Sequence, residues 1–178
     1  VPDSSKVIPG YFSQAGDLIY VLGDLTESLY ASVLAQEFEG VQIQSPEYPD
    51  LKQNRDLYHK IYQAIRKGLL SSCHDVSEGG LLAALAESCF GNSMGMQLEL
   101  KDLSWNHLWS ELGSVFVVSV PSSKVSLFEE HFRKSAKKLG SVNNTGIIEW
   151  SYQGQSLRFE TQEIQKMWSA GVSNVYHS

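Results

Sequence analysis

Ser72-Cys73-His74-Asp75-Val76-Ser77-Glu78-Gly79-Gly80-Leu81-Leu82-Ala83-Ala84-Leu85-Ala86-Glu87-Ser88 is the stretch whose reading decides the fold. A short apolar run over residues 69–73 leads into it and predicts a strand. A polar turn follows, then two glycines open a helix over residues 81–90, closed by Gly91. The Ser77 hydroxyl can accept from first-turn amides as an N-cap. Gly79 and Gly80, without Cβ atoms, admit close approach of a backbone, a carboxylate or a phosphate. Ala83, Ala84 and Ala86 let the helix lie tight against a sheet or a partner domain.

Working outward, residues 18–22 form an apolar run, bounded by Gly16 and Gly23, that predicts a buried strand. A helix over about residues 27–38 follows, with Leu29, Val33, Leu34 and Phe38 on one face. Pro46 and Pro49 mark a loop over residues 40–50. Leu57, Tyr58, Ile61, Tyr62 and Ile65 then repeat at helical spacing up to Lys67-Gly68. Downstream, residues 96–100 and 115–120 predict strands. Ser122 is placed to cap a helix whose stripe is Val125, Phe128, Phe132 and Leu139. Arg133, Lys134, Lys137 and Lys138 suit the outer, solvated face of that helix. A hairpin of residues 146–150 and 156–159 around Gln153-Gly154 and a short helix near residues 164–169 end the chain. Strands and helices interleave without βαβ regularity, so the expected fold class is α+β, a mixed β-sheet covered by helices.

Composition bounds the function. The chain has 178 residues, enough for one domain, and 42% are hydrophobic, enough for a real core. A net charge of −6 without a Lys/Arg block argues against nucleic acid. No apolar run reaches the ~20 residues of a membrane span, and no signal-peptide pattern opens the chain. Cys73 and Cys89 lack CxxC spacing and read as buried thiols of a reducing compartment, which implies the cytoplasm. Residues 1–15 read as a linker from a preceding domain and residues 16–178 as the domain itself.

Several chemistries compete for the turn. His74 and Asp75 can tie it down by hydrogen bonds, with Asp75 then carrying an architectural cost of about 1–3 kcal/mol on removal. A phosphate cradle lacks the Lys-Ser/Thr end of a P-loop. A metal site at His74 and Asp75 lacks a third ligand nearby. A Cys73–His74 nucleophile pair is opposed by strand alternation, which puts the two side chains on opposite faces.

The segment resembles the His-Asp-Val-Ser-Asp/Glu-Gly-Gly-Leu signature in the C-terminal domain of the aminoimidazole ribonucleotide synthetase superfamily, most of all its phosphoribosylformylglycinamidine synthase branch. Ala15-Gly16-Asp17-Leu18-Ile19-Tyr20-Val21-Leu22-Gly23 resembles the opening strand of that domain, and residues 64–72 resemble its run into the signature. Leu108-Trp109-Ser110-Glu111 resembles its Glu-bearing turn, and Gln165-Lys166-Met167-Trp168 its tail.

The resemblance implies the second of two C-terminal domains in an ATP-dependent synthetase. That enzyme converts formylglycinamide ribonucleotide to the amidine in purine biosynthesis. ATP and magnesium would be held mainly by N-terminal synthetase domains, and a glutaminase domain or subunit would supply ammonia. No catalytic residue and no metal ligand carries over to this chain, which is expected to be inactive alone. The ligand- or interface-facing candidates are His74, Asp75, Ser77, Gly79 and Gly80. Glu111 and Ser114 form a second candidate turn, where an Arg usual in the family is missing and structural use is favoured. Aminoimidazole ribonucleotide, selenophosphate or thiamine-phosphate synthesis, hydrogenase maturation and a purely structural scaffold are the alternatives. Self-association of the isolated domain is left open.

Overall fold

A computed structural model describes residues 3–43, 45, 48–111 and 114–175, with side chains to residue 170. Pro46 of the expected loop and Leu112-Gly113 of the second candidate turn lie outside the described residues. Seven strands form one sheet: β1 (Leu18–Leu22), β2 (Ser72–Asp75), β3 (Gly95–Glu99), β4 (Phe116–Val120), β5 (Ala136–Asn143), β6 (Ile147–Tyr152) and β7 (Gln155–Glu160). Their order is β2-β4-β1-β5-β3-β6-β7, and all neighbours are antiparallel except β3 and β6. The helices are α1 (Val33–Glu37), α2 (Leu51–Arg66), α3 (Gly80–Phe90), α4 (Trp105–Trp109), α5 (Val125–Phe132) and α6 (Thr161–Val175). The fold is α+β with a mixed sheet, as expected.

Alternation along the central strands splits the interior in two. Ile19, Val21 and Val117 pack with Leu81, Leu85 and Leu108 of α3 and α4 on one face. Tyr20, Leu22, Val118 and Val120 pack with Leu57, Ile61, Phe128 and Phe132 of α2 and α5 on the other. Because β1 and β4 serve both cores, they read as continuous apolar runs rather than alternating ones.

Several expectations fail in instructive ways. The helix beginning near Ser122 does not run on to Leu139: it ends at Phe132, and residues 136–143 are β5, the strand between β1 and β3. Arg133 takes φ 52°, which breaks the helix, so Arg133, Lys134, Lys137 and Lys138 lie on a turn and a strand, not on a helix face. Lys137 donates to the Asp102 carbonyl. The sheet overrides local propensity here, since β1 and β3 both need the backbone of β5. Gly140 is what lets β5 close against β3, because a Cβ there would collide with the Gln97 carbonyl. Ser122 is likewise no N-cap; it lies in a 3₁₀ turn and makes no capping bond. The helix expected over residues 27–38 shrinks to α1, capped by Ser32, whose hydroxyl accepts from Ala35 N–H. The hairpin is as read, with Gln153 and Gly154 both at positive φ as a two-residue turn requires. α6 is longer than the helix expected at residues 164–169.

The segment before β1 packs on the domain. Pro9 carbonyl accepts from Cys73 N–H at 3.0 Å and Phe12 N–H donates to Ser88 at 2.7 Å. Phe12 is fully buried in the α3-side core, which contributes about 1.5–3 kcal/mol for a side chain of this size.

Asp17, immediately before β1, is 3% exposed. Burial raises its pKa, and the hydroxyls of Ser71 and Ser119 offset that only in part. Its Oδ2 has no partner among the described residues. A carboxyl that titrates higher when folded contributes its stability fully below the unfolded value of 3.8 and loses it as pH rises through the folded one. Asp17→Asn is therefore expected to be more stable than the parent at pH 7, with the difference closing towards pH 4. Urea unfolding across that range checks this, and an unchanged or lowered midpoint at neutral pH would refute it.

Candidate functional site

β2 delivers the turn of residues 74–80 to one end of the sheet. The ladder with β4 continues one step past the strand, because Val76 N–H donates to the Val115 carbonyl at 2.8 Å. This places Cys73 towards the α2/α5 core and His74 towards α3, on opposite faces as alternation demands. No Cys–His pair exists there. The thiols are inert for another reason as well. Burial pushes Cys73 up to about 11, with the Asp75 charge adding to it, and burial alone pushes Cys89 up to about 12.

His74 is fixed at both nitrogens. Nδ1 lies 2.8 Å from the Asp75 carbonyl, which can only accept, so Nδ1 donates there. Nε2 stands 3.3 Å from Glu87 of α3, an ion pair when the ring carries both protons. The other oxygen of Glu87 accepts from the Trp168 indole N–H at 2.8 Å, so one carboxylate joins the turn to α6. Asp75 is different: its side chain is 70% exposed, with Oδ1 3.8 Å from the His74 ring. The architectural role expected for Asp75 does not hold, because an exposed carboxylate leaves no buried donor unpaired when it is removed. Ser77 is exposed as well.

The cap of α3 comes from elsewhere. Ser77 provides only its backbone carbonyl, which accepts from Gly80 N–H at 3.0 Å. The N-cap residue is Gly79, at φ 81°, with no side chain to offer. Its N–H donates to Glu111 Oε1 at 2.9 Å, and the same oxygen accepts from Val33 N–H at the start of α1 at 2.8 Å. Gly80, at φ 70°, sits so close to Trp109 that a Cβ would lie 2.7 Å from its carbonyl carbon. The two glycines thus meet the backbone and carboxylate of the Glu-bearing turn, two of the approaches their composition allowed. Nearby, the Trp109 indole N–H and the Ser110 hydroxyl are buried without a partner among the described residues.

Ser114 belongs to a different neighbourhood. It has φ 76°, and its hydroxyl shares a 2.8 Å hydrogen bond with Tyr58 of α2. It lines a cavity of about 520 Å³ between the Gly23–Thr26 loop and the start of α2, with Asp24, Asp50 and Lys52. Glu111 and Ser114 therefore do not act as one turn: the former is spent on backbone amides and the latter faces this cavity. Sequence reading missed the cavity, whose one sequence signal is Gly23-Asp24 directly after a buried strand. Among the described residues no group of three or more His, Cys, Asp or Glu is placed to hold a metal ion.

Comparison with known proteins adds the family context. The model of the AIR synthase related protein C-terminal domain matches residues 14–151. Phosphoribosylformylglycinamidine synthase subunit PurL of Carboxydothermus hydrogenoformans is 33% identical over 177 residues, covering 94% of this chain and 24% of its own length. The same subunit of Lactobacillus acidophilus is 31% identical over 168 residues, covering 94% of this chain and 22% of its own length. The chain thus spans about a quarter of these relatives. Among solved structures, T. maritima PurL complexed with FGAR aligns over 89% of this chain and 29% of its own, with TM-score 0.74 and 20% identity. A HypE-HypF complex chain aligns over 85% and 55%, with TM-score 0.61 and 16% identity. Both share the fold.

Glu111→Ala leaves the Gly79 and Val33 amides without an acceptor and is expected to cost about 1–3 kcal/mol in chemical denaturation. Glu111→Gln, which keeps an acceptor oxygen, should recover most of that, and hydrogen exchange at Gly79 and Val33 should quicken only in the Ala variant. Equal losses for both variants would remove Glu111 from its capping role. Separately, the folded chain should react with Ellman's reagent at pH 8 far more slowly than the urea-unfolded chain; fast labelling of Cys73 would contradict its burial.

Proposed function

We propose, because the chain belongs to the family of AIR synthase related protein C-terminal domains, that it acts as such a domain in a phosphoribosylformylglycinamidine synthase. The intact enzyme would convert formylglycinamide ribonucleotide to the amidine with ATP, magnesium and ammonia from glutamine. The named relatives support the branch, and T. maritima PurL has been solved with FGAR and with ATP. The HypE resemblance carries the fold only, and no observation favours that chemistry for this chain.

The observation that carries the reading furthest is the division of labour within the signature. Gly79, Gly80 and Glu111 are consumed in binding one turn to another, and His74 is held by Asp75 and Glu87. Asp75 and Ser77 remain turned to solvent at the end of the sheet. A rigid turn with an unspent carboxylate and hydroxyl suits a surface that orients a ligand or a neighbouring synthetase domain. Among the described residues no group of three or more His, Cys, Asp or Glu is placed to hold magnesium, and the turn of residues 74–80 carries no Lys or Arg for a triphosphate. Those groups fall to N-terminal synthetase domains, and ammonia to a glutaminase domain or subunit. Among the described residues no helix is long and apolar enough to cross a membrane, and the free thiols suit a reducing cytoplasm.

Two measurements test the proposal. The 178-residue chain, given formylglycinamide ribonucleotide, ATP, magnesium and ammonium, is expected to form no amidine; turnover by the chain alone would overturn the assignment of catalysis to other domains. In the intact enzyme, Asp75→Ala should leave the melting temperature within a degree or so, since surface changes stay within about 0.5 kcal/mol, while lowering turnover at least several-fold. Unaltered kinetics would return the turn to a purely structural role.

A further inference from the structure

The face of the sheet opposite His74 carries a groove of about 740 Å³ between α2 and α5 that the proposed synthetase role leaves unused. Lys60 reaches it from the second half of α2 and Lys67 from the residue that ends that helix. Lys124 immediately precedes α5, and Arg133 immediately follows it. These four cations face one carboxylate, Glu130, in a chain whose net charge is −6. The floor between them is apolar, made by buried Leu69 and by Leu127, which is 54% exposed.

A second observation is independent of charge. Arg133 sits at φ 52° and ψ −122°, a conformation that favours glycine. A side-chain-bearing residue is strained there. The helix could have been ended by a glycine, yet a guanidinium stands at the groove instead. His131 does not compete for a ligand through Nε2, which is tied 2.9 Å from the Lys60 carbonyl.

We propose that this groove docks an extended acidic segment of a partner protein, one with an apolar residue between its carboxylates. Lys124 and Arg133 bracket a helix of eight residues, so they stand ~13 Å apart along its axis at 1.5 Å per residue. An extended chain at about 3.3 Å per residue covers that in about four residues. Cations at each end with an exposed leucine between them match an acidic–apolar–acidic pattern. A polyphosphate is a poorer match, since it concentrates its charge within a few ångströms and would meet Glu130. Exposed pairs of this kind give weak, salt-sensitive binding whose value lies in partner choice.

The probe is fluorescein-labelled acetyl-Glu-Glu-Leu-Leu-Glu-Glu-amide, titrated into the chain at low and high NaCl. Binding is expected at low salt and should weaken several-fold when the ionic strength is raised to screen the charges. Lys67→Glu with Lys124→Glu should lower affinity at least tenfold, whereas Lys67→Arg with Lys124→Arg should keep it, with unfolding curves confirming that both fold. Arg133→Gly gives a readout that a structural residue would not: it should raise the unfolding midpoint by releasing strain while weakening the peptide. Four results would overturn the proposal. They are no binding at low salt, equal binding by the charge-reversed chain, displacement of the peptide by less tripolyphosphate than unlabelled peptide, and a change in sedimentation on charge reversal. The last two would make the groove a phosphate site or a contact between copies of this chain.

Discussion

One oxygen of Glu111 holds the signature end of the domain together. It accepts from the first amide of α1 and from the residue that opens α3, so two helices and the signature turn are positioned from a single point. Helix starts present amides that no backbone carbonyl can reach, and something must accept from them. Ser32 caps α1 locally through Ala35 N–H, but a glutamate from a third segment reaches the starts of both helices and thereby fixes their relative placement. The close seat of Gly80 on Trp109 follows from the same contact, since the two turns are drawn together where no Cβ fits.

Behind this end stands a sheet buried on both sides. β1 and β4 give alternate residues to the two cores, so the faces cannot be repacked independently. Glu87 extends the chemistry of the turn across α3 to Trp168, coupling the signature to the last helix through one carboxylate. Packing and polar contacts therefore converge on α3, whose buried side is almost wholly apolar and whose outer end carries Glu87.

Much of this was legible in the sequence, and for a common reason. β1, α2, α3 and the β6–β7 hairpin declare themselves by local pattern: an apolar run, a 3.6-residue stripe, paired glycines, and a Gln-Gly turn. What escaped depends on contacts distant along the chain. β5 reads as helix because Phe128, Phe132 and Leu139 keep helical spacing, and only the demand of β1 and β3 for a shared neighbour makes it a strand. The five-residue α4 is too short to show a period at all. Within the site, the resemblance found Glu111, but its spacing could not reveal that it takes over the capping expected of Ser77. Asp75 looked structural by its place beside His74, and only its exposure shows that it is not consumed.

The backbone pairing at the β2 edge bears on where such a domain can be trimmed. β2 is the outermost strand on its side, and Pro9 covers part of that edge while Phe12 plugs the adjacent core. Beginning the chain at Gly16 would leave the Cys73 amide of that edge unpaired beside an empty apolar socket. An edge of that sort pairs with whatever strand it meets, including its own duplicate. The segment ahead of β1 thus guards this edge against aggregation.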